Sequence, residues 1–233
     1  MSDRPPHIVI AIDGPAASGK SSVARALARQ LGIAYINTGA MYRAVTWHAL
    51  RSGVASTDAP AVIALLGRTE FTCGIDAQSE STFLIDGVDP TPELLSEAIN
   101  VNVSHIAAIV EVRRLLVDLQ RTYADDLDLV MEGRDIGSAV FPDTRFKFYI
   151  DASAEVRAQR RARQGLQDSI LNRDKLDSSR RASPLIIAED AHVIDSSYLT
   201  IDGVAGEIVG RLKQKGLGIA PTRSPLLGVA ATA

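Results

Sequence analysis

The sequence predicts an α/β fold in which helices wrap both faces of a parallel sheet and a phosphate-binding loop sits at the first strand. Three observations predict it. An apolar alternating run from His7 closes at Asp13, a glycine turn follows, and a helical pattern opens at about Lys20, the order that such a loop requires. Gly14, Gly19, Lys20 and Ser21 match G-x-x-x-x-G-K-[ST] in full. Beyond the loop, short apolar runs alternate with helical periodicity, which favours parallel strands joined by right-handed crossovers.

The loop's residue types follow from its chemistry. Successive backbone N–H groups can turn inward at a polyphosphate only where side chains do not block the approach, and glycine removes that block. Lys20 adds a mobile positive charge and the helix beginning there adds its positive dipole end. The Ser21 hydroxyl is left free to ligand a magnesium ion. These features define a nucleoside triphosphate site. The loop alone does not separate a kinase from a switch GTPase or an ATP-driven motor. The guanine-reading Asn-Lys-x-Asp run of a switch protein does not occur in the chain.

Bulk properties narrow the class. At 233 residues and 46% hydrophobic content the chain can bury a large core as one domain with insertions. A formal charge of -3 provides no overall field to gather nucleic acid or an anionic membrane. The single Cys73 rules out an intramolecular disulfide framework and a Cys-based zinc signature, as in a reducing cytoplasm. Residues 1–6 lack the apolar core of a signal peptide, and no later run is long enough to span a bilayer. The expectation is a soluble, cytoplasmic protein.

Taken in order, the first helix ends near Leu31-Gly32 and an extended piece, Ala34 to Ile36, leads to Asn37 or Thr38 as a helix cap. That helix runs to Gly53 with Arg43 near its capped end, where a basic side chain opposes the dipole; it is either a solvated residue or one that faces an anion. A short helix spans Asp58 to Gly67. Phe71–Cys73 and Phe83–Ile85 predict a small hairpin with a tight-turn signal at Asp86-Gly87, a lobe on a larger scaffold. Leu94 to Tyr123 is helical with a break near Ala108, and its pattern puts Ser104 and Arg113 on polar, exposed positions. Leu127 to Met131 predicts a buried parallel strand with Glu132-Gly133-Arg134-Asp135 at its C-terminal end, where open α/β sheets place ligands. Phe146 to Ile150 predicts another strand. Arg157, Arg160, Arg161 and Arg163 then share a helix, followed by Arg173, Arg180 and Arg181 around Asp174 and Asp177, a charged stretch with the composition of a mobile surface lid. Val193–Ile194 is a last short strand, Thr200 to Lys215 an amphipathic helix, and the tail from Gly216 has the composition of a disordered segment.

Taken together these motifs resemble one family, the bacterial cytidylate kinases among the nucleoside monophosphate kinases. The residues that carry the likeness are IDGPAASGKSS, TGAMYR, Ser104 followed by Arg113, EGRDIGSAVFPD, the RAQRR helix, and the series Arg173-Asp174, Asp177, Arg180, Pro184-Leu185. It spans about residues 7 to 212. Between the RAQRR helix and Arg173 this chain has only ARQGLQDSILN, shorter than is usual in the family.

The resemblance implies a P-loop kinase fold with a core at 7–57, 124–156 and 188–215, a monophosphate-binding insert at about 58–123 and an Arg-rich lid at about 157–187. Residues 1–6 are expected to be flexible and 216–233 disordered. It implies phosphoryl transfer from ATP to CMP or dCMP with magnesium, by a monomer. ATP would lie on Gly14, Pro15, Ala16, Ala17, Ser18, Gly19, Lys20, Ser21 and Ser22, with Ser21 on the metal and Glu132 or Asp13 holding water on it. Thr38, Ser104, Arg113 and Asp135 would surround cytosine; Arg43, Arg134 and Arg180 would hold the acceptor phosphate; Arg173 and Asp177 would contact the sugar. Lys20, Arg134, Arg157, Arg161, Arg173 and Arg180 would supply the catalytic positive field. A kinase for another small acceptor, such as UMP or a sugar, and a nucleotide-dependent switch remain the alternatives.

Overall fold

The computed structural model describes residues 7–163, 170–180, 182–218 and 231–232, the side chains of 170–173 and 231–232 excepted. β1 (Val9–Asp13) leads through the glycine loop into α1 (Lys20–Leu31), then β2 (Ala34–Asn37) and α2 (Thr38–Arg51). The insert comprises α3 (Ala59–Leu66), the hairpin β3 (Phe71–Ile75) and β4 (Ser81–Ile85), α4 (Glu97–Ile106) and α5 (Val110–Asp126). β5 (Leu129–Gly133), β6 (Phe146–Asp151), α6 (Ala154–Arg163), α7 (Ile170–Ser178), β7 (His192–Asp195), α8 (Ile201–Gln214) and β8 (Ala231–Thr232) follow.

The central sheet has the order β2-β5-β1-β6-β7, with every neighbouring pair parallel. Its strands are apolar throughout because both faces are covered. Val9, Ala11, Ile36, Leu129 and Met131 enter one core with residues of α2, α4 and α5. Ile10, Ile12, Val130, Phe148 and Ile150 enter a second core with α1 and α8, so alternate residues serve opposite faces. The helix starts obey local rules: Asn37, Asp58 and Thr200 each accept a hydrogen bond from a backbone amide in the first turn of α2, α3 and α8.

Several expectations change. The insert packs into the larger scaffold, where Phe71, Phe83 and Ile85 share one core with Val45, Trp47 and Leu116. Its hairpin is tied to the sheet edge, where Tyr35 N–H donates to the Ser79 carbonyl at 2.8 Å and Arg25 pairs with Glu80 at 2.8 Å. Asp86 and Gly87 do turn left-handed, with φ 50° and 74°, but after β4. The strands themselves are joined at Asp76, whose carboxylate accepts from the amides of Gln78 and Glu80. β5 runs to Gly133 rather than Met131, so Glu132 and Gly133 belong to the ladder opposite Ile12 and Asp13.

Of the tail from Gly216, expected to be disordered, residues 216–218 and 231–232 are described. The Gly216 and Leu217 amides close the end of α8, and Ala231–Thr232 pair antiparallel with Thr72–Cys73 on β3. Residues 1–6, 164–169, Arg181, 219–230 and 233 lie outside the described residues, so the expected flexible N-terminus and part of the lid fall there. Among the described residues no helix is long and apolar enough to cross a membrane.

Candidate active site

β1 ends in the glycine loop, whose path depends on Gly14. Its φ is 153°, and a Cβ there would lie 2.1 Å from the Ile150 carbonyl oxygen, a contact no side chain can make. Ala17 and Gly19 are also left-handed, and Gly19 caps α1 without a side-chain bond, leaving the first amides of the helix open to an anion. Lys20 folds back over the loop, donating to the Pro15 carbonyl at 3.1 Å. Ala16 and Ser18 are buried while Ser22 is exposed.

The basic helix α6 holds this loop from the other side and is not a solvated face. Arg157 and Arg161 are both buried. Arg157 donates to the carbonyls of Ala152 and Ala16 and pairs with Asp174 on α7. Arg160 donates to the Ser18 carbonyl at 3.1 Å and to Ser196 Oγ and carbonyl at 3.0 and 2.7 Å. Ser196 Oγ itself donates to Ser18 at 2.7 Å. Sequence reasoning placed Arg160 in the basic run without a role. Its signal was present in the i, i+3 and i, i+4 spacing of Arg157, Arg160 and Arg161, but its partners lie about 36 and 142 residues away in sequence.

The charged acceptor residues meet at the tip of β5. Gly133 is required there, since a Cβ would lie 2.6 Å from Thr38 Oγ1 and 2.7 Å from Ile136. The Thr38 hydroxyl in turn donates to the Glu132 carbonyl at 2.8 Å. Arg113 and Asp135 form a buried pair, 3% and 4% exposed, which overturns the expectation of an exposed Arg113. Arg113 also stacks 5.5 Å from the Tyr42 ring centre. Ser104 is likewise buried rather than exposed. Arg134 and Arg180 share one carboxylate, Asp177, with Arg134 Nε at 2.9 Å. Arg43 donates to Asn100 on α4 at 3.0 Å. Arg173 lies on α7, its side chain outside the described residues.

The electrostatics mark this cluster as short of negative charge. Burial, and then the neighbouring Arg113 and Arg134, hold the Arg180 guanidinium below its ordinary value despite Asp177. For Arg113 burial opposes the charge, but Asp135 and Tyr42 outweigh it and the net shift is upward. Arg134 behaves likewise through Asp177.

Two expectations about the metal change. The Ser21 hydroxyl is not free, since it donates to Glu132 at 2.8 Å. Both Asp13 oxygens accept backbone amides, from Ile136 and Gly137, so Asp13 is turned away from a water-holding role. What remains does fit a hard cation. Ser21 and Glu132 are oxygen donors in contact, with the buried Tyr35 hydroxyl, raised by burial and then by Glu132, beside them. No group of three or more His, Cys, Asp or Glu among the described residues could cage a metal, as expected where phosphate and water supply most ligands.

A glycine cradle and a guanidinium cluster at adjacent strand tips define a phosphoryl-transfer fold, and comparison with known proteins places it. Residues 10–214 match the family model described as cytidylate kinase. The chain is 45% identical over 214 residues to the cytidylate kinase of Desulforamulus reducens, covering 87% of this chain and 96% of that protein. It is 44% identical over 214 residues to that of Pelotomaculum thermopropionicum, covering 87% and 95%. With that of Streptomyces avermitilis identity is 39% over 219 residues, covering 90% and 94%. The chain belongs to the cytidylate kinase family. It is therefore an enzyme, a phosphotransferase of the nucleoside monophosphate kinase class with a P-loop kinase fold.

Proposed function

We propose that the protein transfers the γ-phosphoryl group of ATP to CMP or dCMP, giving ADP and CDP or dCDP. The observation that carries this reading is the buried Arg113–Asp135 pair beside Arg134 and Arg180, one strand away from the Lys20 loop.

ATP lies on residues Gly14 to Ser22, its β- and γ-phosphates toward the loop amides and Lys20. The acceptor phosphate displaces Asp177 from Arg134 and Arg180, and Arg43 completes the arginine set. Asp177, released from its ion pairs, then accepts from sugar hydroxyls beside Arg173. Asp135 accepts from the cytosine 4-amino group, while Arg113, Ser104 and Thr38 serve the ring acceptors. Uracil would set a carbonyl against Asp135, and two facing acceptors in a closed site cost about 1–3 kcal/mol.

The reaction needs alignment more than a base. Its transition state is loose, with charge spread over the equatorial oxygens, so Lys20, Arg134, Arg157, Arg161, Arg173 and Arg180 act by stabilising that charge. Arginine suits this because its fork fits phosphate bidentately. Ser21 and Glu132 would hold magnesium, which when bound neutralises charge between the phosphates. Closure of the Arg-rich segment excludes water, itself a competent acceptor.

The test is an acceptor panel of CMP, dCMP, UMP and AMP with ATP and magnesium, followed by ADP release. CMP and dCMP are expected to exceed UMP by about tenfold or more in kcat/KM. Equal turnover of UMP, or no turnover of CMP and dCMP, overturns the assignment.

A further inference from the structure

We infer that Asp13 is a positioning residue that fixes the distance between the donor loop and the acceptor-binding arms. The inference rests on the reading above, in which Arg134 and Asp135 hold the acceptor.

The ladder between β1 and β5 ends at the pair Asp13 and Gly133. Past that pair the two chains part, Gly14 into the phosphate loop and Arg134 into the acceptor turn. The side chain of Asp13 bridges the gap. Its Oδ1 accepts from Ile136 N–H and its Oδ2 from Gly137 N–H, both at 2.8 Å. It is 5% exposed. Two oxygens on two successive amides fix the direction as well as the distance of the segment that begins at Arg134. A surface carboxylate would not serve as well, because solvent would compete for the same amides.

The bridge is also braced from behind. Gly137 packs on the aliphatic stem of Lys147, whose ammonium is held by the Pro142 carbonyl at 2.6 Å and by Asp190 at 2.8 Å. Gly137 thus lies between the Asp13 carboxylate and the Lys147 stem. Burial pushes the Asp13 carboxyl up to about 7 while the two amide bonds pull it down, with Asp135 and Lys20 adding smaller opposed effects. The two amide bonds are what favour the charged form against that burial, so the carboxyl is committed to these two amides.

Alignment errors of about 1 Å in phosphoryl transfer cost about a hundredfold in rate while leaving binding intact. Asp13→Asn keeps the size but turns an NH2 against one of the two amides. We expect its kcat to fall by about 30-fold or more, with KM for both nucleotides changed by less than about threefold. Amide hydrogen exchange at Ile136 and Gly137 should quicken by about tenfold or more. A merely structural role would lower the unfolding temperature while turnover per folded molecule stayed within about threefold of wild type. That result, or unchanged exchange at the two amides, overturns the inference. Should Asp13→Asn not be recovered folded, Gly137→Ala carries the same kinetic and exchange test. Its Cβ would sit 3.1 Å from the Lys147 stem and 3.5 Å from Asp13 Oδ2, displacing the amide from the other side. Kinetics use whichever monophosphate the wild type phosphorylates. An enzyme inactive on CMP would therefore sink the acceptor assignment while the exchange measurement still judged the bridge.

Discussion

At the donor end the loop from Gly14 to Ser22 is shaped by its own main chain, whereas at the acceptor end charged side chains hold one another in place. The donor loop depends on one forbidden Cβ at Gly14, on left-handed residues and on open amides at the start of α1. The acceptor cluster draws Arg113 from α5, Arg134 and Asp135 from the turn after β5, and Asp177 from α7. The backbone device is rigid before any ligand arrives, because its geometry is already fixed by sterics. The side-chain device is preloaded: Asp177 occupies two arginines that the proposed phosphate would claim, and must be exchanged for it. The difference implies that removing a charged side chain at the acceptor end costs stability as well as activity, while removing Lys20 at the donor end costs mainly activity.

The largest expected effect follows from the most buried pair. Asp135→Ala leaves Arg113, 3% exposed, without its carboxylate. Stranding a buried charge in this way costs about 3–5 kcal/mol, which a urea unfolding curve would read directly. The same variant should lose about tenfold of its preference for CMP over UMP. A stable variant with the preference intact would show that Arg113, and not the pair, reads the base.

Lys20→Ala comes next and sharpens the contrast. Lys20 donates to the Pro15 carbonyl and lies 4.0 Å from Glu132, and it faces the proposed transferring phosphate. Removing one preorganised charge-stabilising donor costs about 10²–10³ in kcat. The unfolding midpoint should move far less than for Asp135→Ala. Near-normal turnover in an ADP-release assay would take Lys20 out of the chemistry, and with it the donor assignment of the loop.

How much was legible in the sequence follows the same division. The loop is contiguous and its glycines are demanded by local sterics, so the motif and the start of α1 could be read directly, and the cap of α2 to within Asn37 or Thr38. Strand tips were also legible, because buried parallel strands are apolar and a run such as Glu132-Gly133-Arg134-Asp135 has no place in a core. Ser104 and Arg113 were misplaced because helical periodicity counts a polar residue as solvent-facing, and nothing local shows that Asp135, 22 residues away, neutralises it. The packing of the hairpin was hidden for a related reason: nothing in the sequence around Phe71, Phe83 and Ile85 shows that they share a core with residues of α2 and α5. Arg157 and Arg161 were read as lid cations, and the partners that bury Arg157, the Ala16 carbonyl on the loop and the Ala152 carbonyl, carry no sequence signal.

Arg160 tests the comparison, since here, as with Arg157 at Ala16, a side chain does hold the backbone device. Its guanidinium reaches the Ser18 carbonyl and both oxygens of Ser196, tying α6 and the turn after β7 to the loop. Ser196 is itself anchored, its N–H donating to the Asp151 carbonyl at 2.8 Å. If sterics alone shape the loop, Arg160→Ala should leave kcat nearly unchanged and weaken only the seating of ATP. The loss of hydrogen bonds from a charged donor, partly replaced by water, is worth about 1.5 kcal/mol, or roughly tenfold in KM for ATP. KM for the acceptor should hold, because Arg113, Arg134 and Arg180 are untouched. A fall in kcat comparable to that of Lys20→Ala would mean instead that the loop needs the α6 clasp to reach its working shape, and the donor end would then be as dependent on side chains as the acceptor end.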